Sequence, residues 1–86
     1  MGCTYDGGGI MITFDQKVKR LAALSERVQG FLDDGYETLF DYHYKDMVCY
    51  KLRHRNGNVI FVKLDILNGK LTQCTNGQLT HTETVY

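Results

Sequence analysis

The chain has 86 residues, the length of one domain, and a domain of this size buries only ~60% of the surface its unfolded form exposes, so its core has little to spare. Ten Lys and Arg balance ten Asp and Glu, giving a formal net charge of zero, which removes the long-range attraction that phosphate backbones and anionic membranes exploit. No apolar run approaches the ~18 residues of a membrane span, no basic stretch leads into an apolar run as in a secretory leader, and the three cysteines form no C-x-x-C pair. The expected compartment is the cytoplasm, with no membrane partner and no disulfide framework.

Residues 1–10 contain Gly7, Gly8 and Gly9 without any hydrophobic period, and are expected to form a flexible tail ahead of a single domain over residues 11–86. A myristoylation signal would need Ser or Thr where Asp6 stands. Met11 is a candidate alternative start. Thr13 followed by Gln16 fits a capping box, and Asp15 places a negative charge in the first turn of the helix it would open. Phe14, Val18, Leu21, Leu24, Val28, Phe31 and Leu32 fall on one side at ~100° per residue, with Gln16, Lys19, Arg20, Glu26 and Arg27 on the other. This pattern predicts an amphipathic helix over residues 14–33 closed by Gly35, with Gly30 a place where the regular helix would stop a turn early.

From Tyr36 to Tyr44 the residues alternate, which predicts a strand, and Lys45-Asp46 predicts a tight turn after it. The hairpin over residues 47–66 turns at Asn56-Gly57, a dipeptide suited to a two-residue type I′ loop. Such a loop would place Arg53 opposite Ile60, Lys51 opposite Val62 and Cys49 opposite Leu64. Asn68-Gly69 and Asn76-Gly77 predict two further turns, with strands over residues 70–75 and 78–86. The expected fold is α+β: one N-terminal helix packed on one face of an antiparallel meander of four to five strands in the order 1-2-3-4-5.

In that register one face collects Tyr36, Phe40, Tyr42, Tyr44, Met47, Cys49, Ile60, Val62, Leu64, Ile66 and Leu71, and becomes polar at Gln73, Thr75, Thr80 and Thr82. A helix ~10 Å wide spans about three strands spaced ~4.8 Å apart, so the helix is expected over strands one to three. The opposite face would expose Leu39, Val48, Tyr50, Leu52, Val59 and Phe61, a protein-binding patch larger than a monomer ordinarily leaves bare. The last strand, with Thr80, His81, Thr82, Glu83 and Thr84 at a sheet edge lacking Pro or Lys, is a candidate for pairing with another chain.

Site chemistry is sparse. In the expected register Lys63 lies opposite Cys74, which makes Cys74 the candidate reactive thiol. Asp41, His43 and Cys74 share a face, but strands one and four would be ~14 Å apart, too far for a nucleophile and its base. His43, His54 and His81 sit on different strands without ligand spacing, so neither a metal nor a cofactor is expected. Lys51, Arg53, His54 and Arg55 make a basic hairpin tip, with Arg53 and Arg55 expected beside Asp33 and Asp34 at the helix C-terminus. The first expectation for function is therefore a non-enzymatic protein-binding module, of the inhibitor or accessory type that mobile elements carry, which docks a protein partner or forms a homodimer. Two alternatives are a small-molecule or nucleotide site in a groove near Asp41, Tyr50, Lys63 and Cys74, and weak nucleic-acid binding through the basic tip.

Overall fold

A computed structural model describes residues 12–86; the tail expected over residues 1–10, and Met11, lie outside the described residues. Thr13 opens the one helix of the described residues. Its hydroxyl accepts from the Gln16 backbone N–H at 3.0 Å, and the Gln16 side chain accepts from the Thr13 N–H at 3.0 Å, so two amides that a helix start leaves orphaned are satisfied reciprocally. The helix α1 runs Phe14–Asp33, and Gly35 follows in the left-handed region at φ +97°. Gly30 does not stop the helix early: the Asp34 N–H still donates to the Gly30 carbonyl at 3.2 Å.

Five strands follow: β1 (Tyr36–Tyr44), β2 (Met47–His54), β3 (Val59–Asp65), β4 (Lys70–Thr75) and β5 (Gln78–Thr84). They form one antiparallel sheet in the order β1-β2-β3-β4-β5, the α+β meander that the alternation predicts. Among the described residues no helix is long and apolar enough to cross a membrane.

The β2–β3 register differs from expectation by one residue. Lys51 faces Phe61, Leu52 faces Ile60 and Tyr50 faces Val62. The reason is the loop. The His54 carbonyl accepts from the Gly57 N–H and the His54 N–H donates to the Asn58 carbonyl, each at 2.9 Å, so residues 55–57 form a three-residue loop. Only Gly57 takes positive φ there (+99°), whereas Asn76 and Gly77 both do so in the two-residue β4–β5 turn. A type I turn closed by a left-handed glycine is the three-residue alternative to type I′, and the extra residue moves every side chain of β2 to the other face.

Because β1 pairs with β2 from Tyr44 opposite Met47 to Phe40 opposite Lys51, as expected, it turns over with it. Leu39 is then the extra residue of a bulge between Thr38 opposite Leu52 and Phe40 opposite Lys51, which returns Tyr36 to the helix side. The expected pairing of Leu39 with Leu52 does not form. The β3–β4 connection spans four residues, so Lys63 faces Thr72 and Cys74 faces Phe61, in place of the expected Lys63–Cys74 pair. A second irregularity, at Thr80, puts His81 opposite Gln73 on the helix side.

The core consequently contains Val48, Leu52, Ile60, Val62, Leu64, Ile66 and Leu71 beneath Leu24 and Val28 of α1. Leu52, Val62 and Leu64 are 0% exposed, each contributing about 1.5–3 kcal/mol by burial. The helix is rotated relative to its expected apolar side. Phe14 is 78% exposed and Val18 is also exposed, while Arg20, at one-turn spacing before Leu24 and Val28, is buried. The Arg20 guanidinium donates to the carbonyls of Ile66 (2.7 Å), Leu67 (2.9 Å) and Val85 (2.9 Å), tying the helix to the β3–β4 loop and the segment after β5. The same junction explains Gly69, at φ +72°, where a Cβ would strike the Val85 carbonyl and come within 2.7 Å of Arg20 Nε. Among the described residues no buried side-chain polar atom lacks a hydrogen bond.

Candidate functional site

Opposite the helix, the register gives three rows that cross all five strands, beside a shorter row of Glu37, Arg53 and Val59. One runs Phe40, Lys51, Phe61, Cys74, Leu79; the next Tyr42, Cys49, Lys63, Thr72, Thr82; the third Tyr44, Met47, Asp65, Lys70, Thr84. Phe40, Tyr42, Tyr44, Phe61 and Leu79 are all exposed, Tyr42 to 51% and Leu79 to 63%. The Phe40 and Phe61 rings meet edge to face with centroids 6.3 Å apart, although a whole strand separates their own. Tyr42 and Tyr44 lie nearly parallel, 8° apart in orientation and 6.3 Å between centroids. Lys51 Nζ lies 5.9 Å from the centroid of Phe40 and Lys45 Nζ 5.3 Å from that of Tyr44, within range of cation–π attraction.

The charges on this face are unequally occupied. Glu37 Oε1 accepts from Arg53 at 3.2 Å. Asp65 is committed to the β3–β4 loop, where it accepts from the Leu67 N–H (3.1 Å) and the Asn68 side chain (2.7 Å). Lys51, Lys63 and Lys70 form no ion pair among the described residues. Lys51 and Lys63 instead flank a depression of about 420 Å³ also lined by Val59, Phe61, Thr72 and Cys74. Burial pushes the Cys49 thiol above its ordinary value, against an opposing pull from the Lys63 charge.

The expected binding patch is divided between the two faces. Val59 and Phe61 lie on the open side, but Val48 and Leu52 are buried in the core and Tyr50 packs against it from the helix side. Leu39 is exposed at its bulge. In their place the open face carries Phe40, Tyr42 and Tyr44, which the two-residue loop assigned to the core. One signal could have found them: in β2 the apolar Val48, Tyr50 and Leu52 alternate with Lys51 and Arg53. Matching that apolar side to Ile60, Val62 and Leu64 gives the observed register without reference to the turn.

The groove expected near Asp41, Tyr50, Lys63 and Cys74 does not assemble, because Asp41 and Tyr50 face the helix side and Lys63 and Cys74 the other. Cys74 is half-buried beside Phe61. At the basic tip Arg53 is paired with Glu37 rather than with Asp33 or Asp34, and the His54 ring packs edge-on to Tyr36 at 5.0 Å. On the β5 edge, His81 Nε2 and Arg27 both meet Glu83, at 2.7 and 3.7 Å, on the helix side, whereas Thr82 and Thr84 belong to the open rows. Among the described residues no three His, Cys, Asp or Glu side chains converge as a metal site.

Comparison with known proteins gives no relative from which a role could be carried over: no protein-family model, curated protein or solved structure matches the chain.

Proposed function

We propose that this protein is a non-enzymatic protein-binding module, of the inhibitor or accessory kind, that docks a protein partner on the open face of its sheet. The observation that carries the reading is the solvent-facing ring set of Phe40, Tyr42, Tyr44 and Phe61. Aromatic residues at the centre of a contact dominate binding energy, because they bring large apolar area at little cost in side-chain entropy. A domain with so small a core would gain more from burying four rings than from leaving them about half in water, so their placement makes sense as contact surface.

Charge argues for a partner over a second copy. With Glu37 and Asp65 engaged, two copies stacked face to face would bring unpaired lysines together, and juxtaposed like charges oppose association. The test is affinity capture from the native host with wild type and Tyr42→Ala/Phe61→Ala in parallel, after nuclease treatment. Loss of one captured protein from the variant, at unchanged melting temperature, supports the reading; identical captured sets contradict it. Sedimentation of the same pair tests the dimer separately.

A further inference from the structure

We infer that the depression between Lys51 and Lys63 seats an acidic side chain of the docked partner, next to an apolar or aromatic one, so that the partner's contact segment is itself acidic. This rests on the reading of the open face as a protein-docking surface. Three features of the depression select that occupant.

Its volume, about 420 Å³, falls within the range of sites that hold a small organic group. Val59 and Phe61 supply an apolar wall for the body of a side chain, and Thr72 supplies a hydroxyl. Lys51 and Lys63 supply two ammonium groups, and among the described residues no carboxylate lines the depression to neutralise them. Among the described residues the strands place two acidic side chains on the same face, and both are spent elsewhere, Glu37 on Arg53 and Asp65 on the β3–β4 loop. A carboxylate entering from outside therefore meets two ammonium groups that no described carboxylate pairs. The same cations disfavour a second copy of this face as the occupant. Lys51 is already drawn toward Phe40, at 5.9 Å from the ring centroid, so a partner carboxylate held by Lys51 lies beside an exposed ring that can pack the neighbouring apolar residue.

The probe is a blocked pentapeptide of leucine, aspartate, phenylalanine, glutamate and leucine, titrated into the full chain and followed by amide chemical shifts. Its neutral counterpart carries asparagine and glutamine in place of the acids. The acidic peptide is expected to shift Phe61, Lys63, Thr72 and Cys74. Binding should weaken about two- to thirtyfold for the neutral peptide, and by a similar factor for Lys51→Gln/Lys63→Gln, the scale of losing two partly exposed charge pairs. Unshifted resonances elsewhere in the variant confirm that it is folded. Equal affinity for both peptides, saturation at other residues, no binding, or an unchanged affinity in the double variant overturns the inference. Displacement of the acidic peptide by a short oligothymidine that binds more tightly through the same residues also overturns it, by making nucleic acid the occupant. Capture that depends on Tyr42 and Phe61 but not on the two lysines removes the acidic segment and leaves the docking face standing, whereas capture that depends on neither removes both.

Discussion

Leu52, Val62 and Leu64 are sealed from water on one side of the sheet, while Phe40, Tyr42 and Tyr44 on the other keep about half of their surface in it. Both sets are large and apolar, and Leu52 and Phe40 sit on neighbouring strands. What separates them is cover and charge. The helix side is closed by Leu24, Val28 and Phe31, with Arg20 locking one end. The open side has rings interleaved with Lys51, Lys63 and Lys70, and among the described residues no helix or strand packs over it. One face therefore holds the fold together, and the other is the one we propose for contact.

Substitutions should separate the two faces cleanly. Leu64→Ala removes a fully buried side chain from the middle of the core and is expected to cost about 2–5 kcal/mol, read by chemical denaturation; a loss no larger than at the surface would break the distinction. Arg20→Met keeps much of the stem but removes all three donors to the carbonyls of Ile66, Leu67 and Val85. Hydrogen bonds to a charged group are worth about 1.5–3 kcal/mol net each, but Met also relieves the cost of burying the guanidinium charge, so a net loss of about 2–3 kcal/mol is expected, with faster amide exchange in the β3–β4 loop.

A smaller effect is expected from Cys49. Burial raises its thiol above the ordinary value of 9.0, so the folded state holds its proton more tightly than the unfolded chain. That contribution is complete below the unfolded value and is lost as pH rises through the folded one. Stability of wild type relative to Cys49→Ala should fall in alkaline solution and stay level near neutrality, and the half-buried Cys74 should be labelled faster than the buried Cys49. Smallest of all, Tyr42→Ala should change stability by no more than about 0.5 kcal/mol, because its ring packs on Tyr44 and not on the core. A loss on the scale of Leu64→Ala would mean that the open face is structural.

The local parts of this architecture were legible in the sequence, since each depends on residues close along the chain. Thr13 and Gln16 specify the helix start, Gly35 its end, and the alternation of residues 36–44 the first strand. Face assignment was less legible, because Asn56-Gly57 serves two loop lengths that differ by one residue, and that residue decides which sides of β1 and β2 are buried. The better guide was the alternation of Val48, Tyr50 and Leu52 with Lys51 and Arg53, which responds to burial directly. The bulges at Leu39 and Thr80 left no comparable mark. Arg20 looked like a solvent residue because its partners are backbone carbonyls, which carry no side-chain signature, and Val85 lies 65 positions away. Its place in a stripe with Leu24 and Val28 was the single hint. Within the candidate site, Val59 and Phe61 were legible as open-face residues, and Phe40, Tyr42 and Tyr44 were lost to the one-residue slip.

The whole contrast between faces depends on that slip, and cross-strand nuclear Overhauser contacts between β2 and β3 measure it directly. The structure predicts contacts that place Lys51 opposite Phe61 and Leu52 opposite Ile60. Contacts placing Lys51 opposite Val62 and Arg53 opposite Ile60 would contradict it, returning Phe40, Tyr42 and Tyr44 to the helix side and leaving the proposed docking face without its rings.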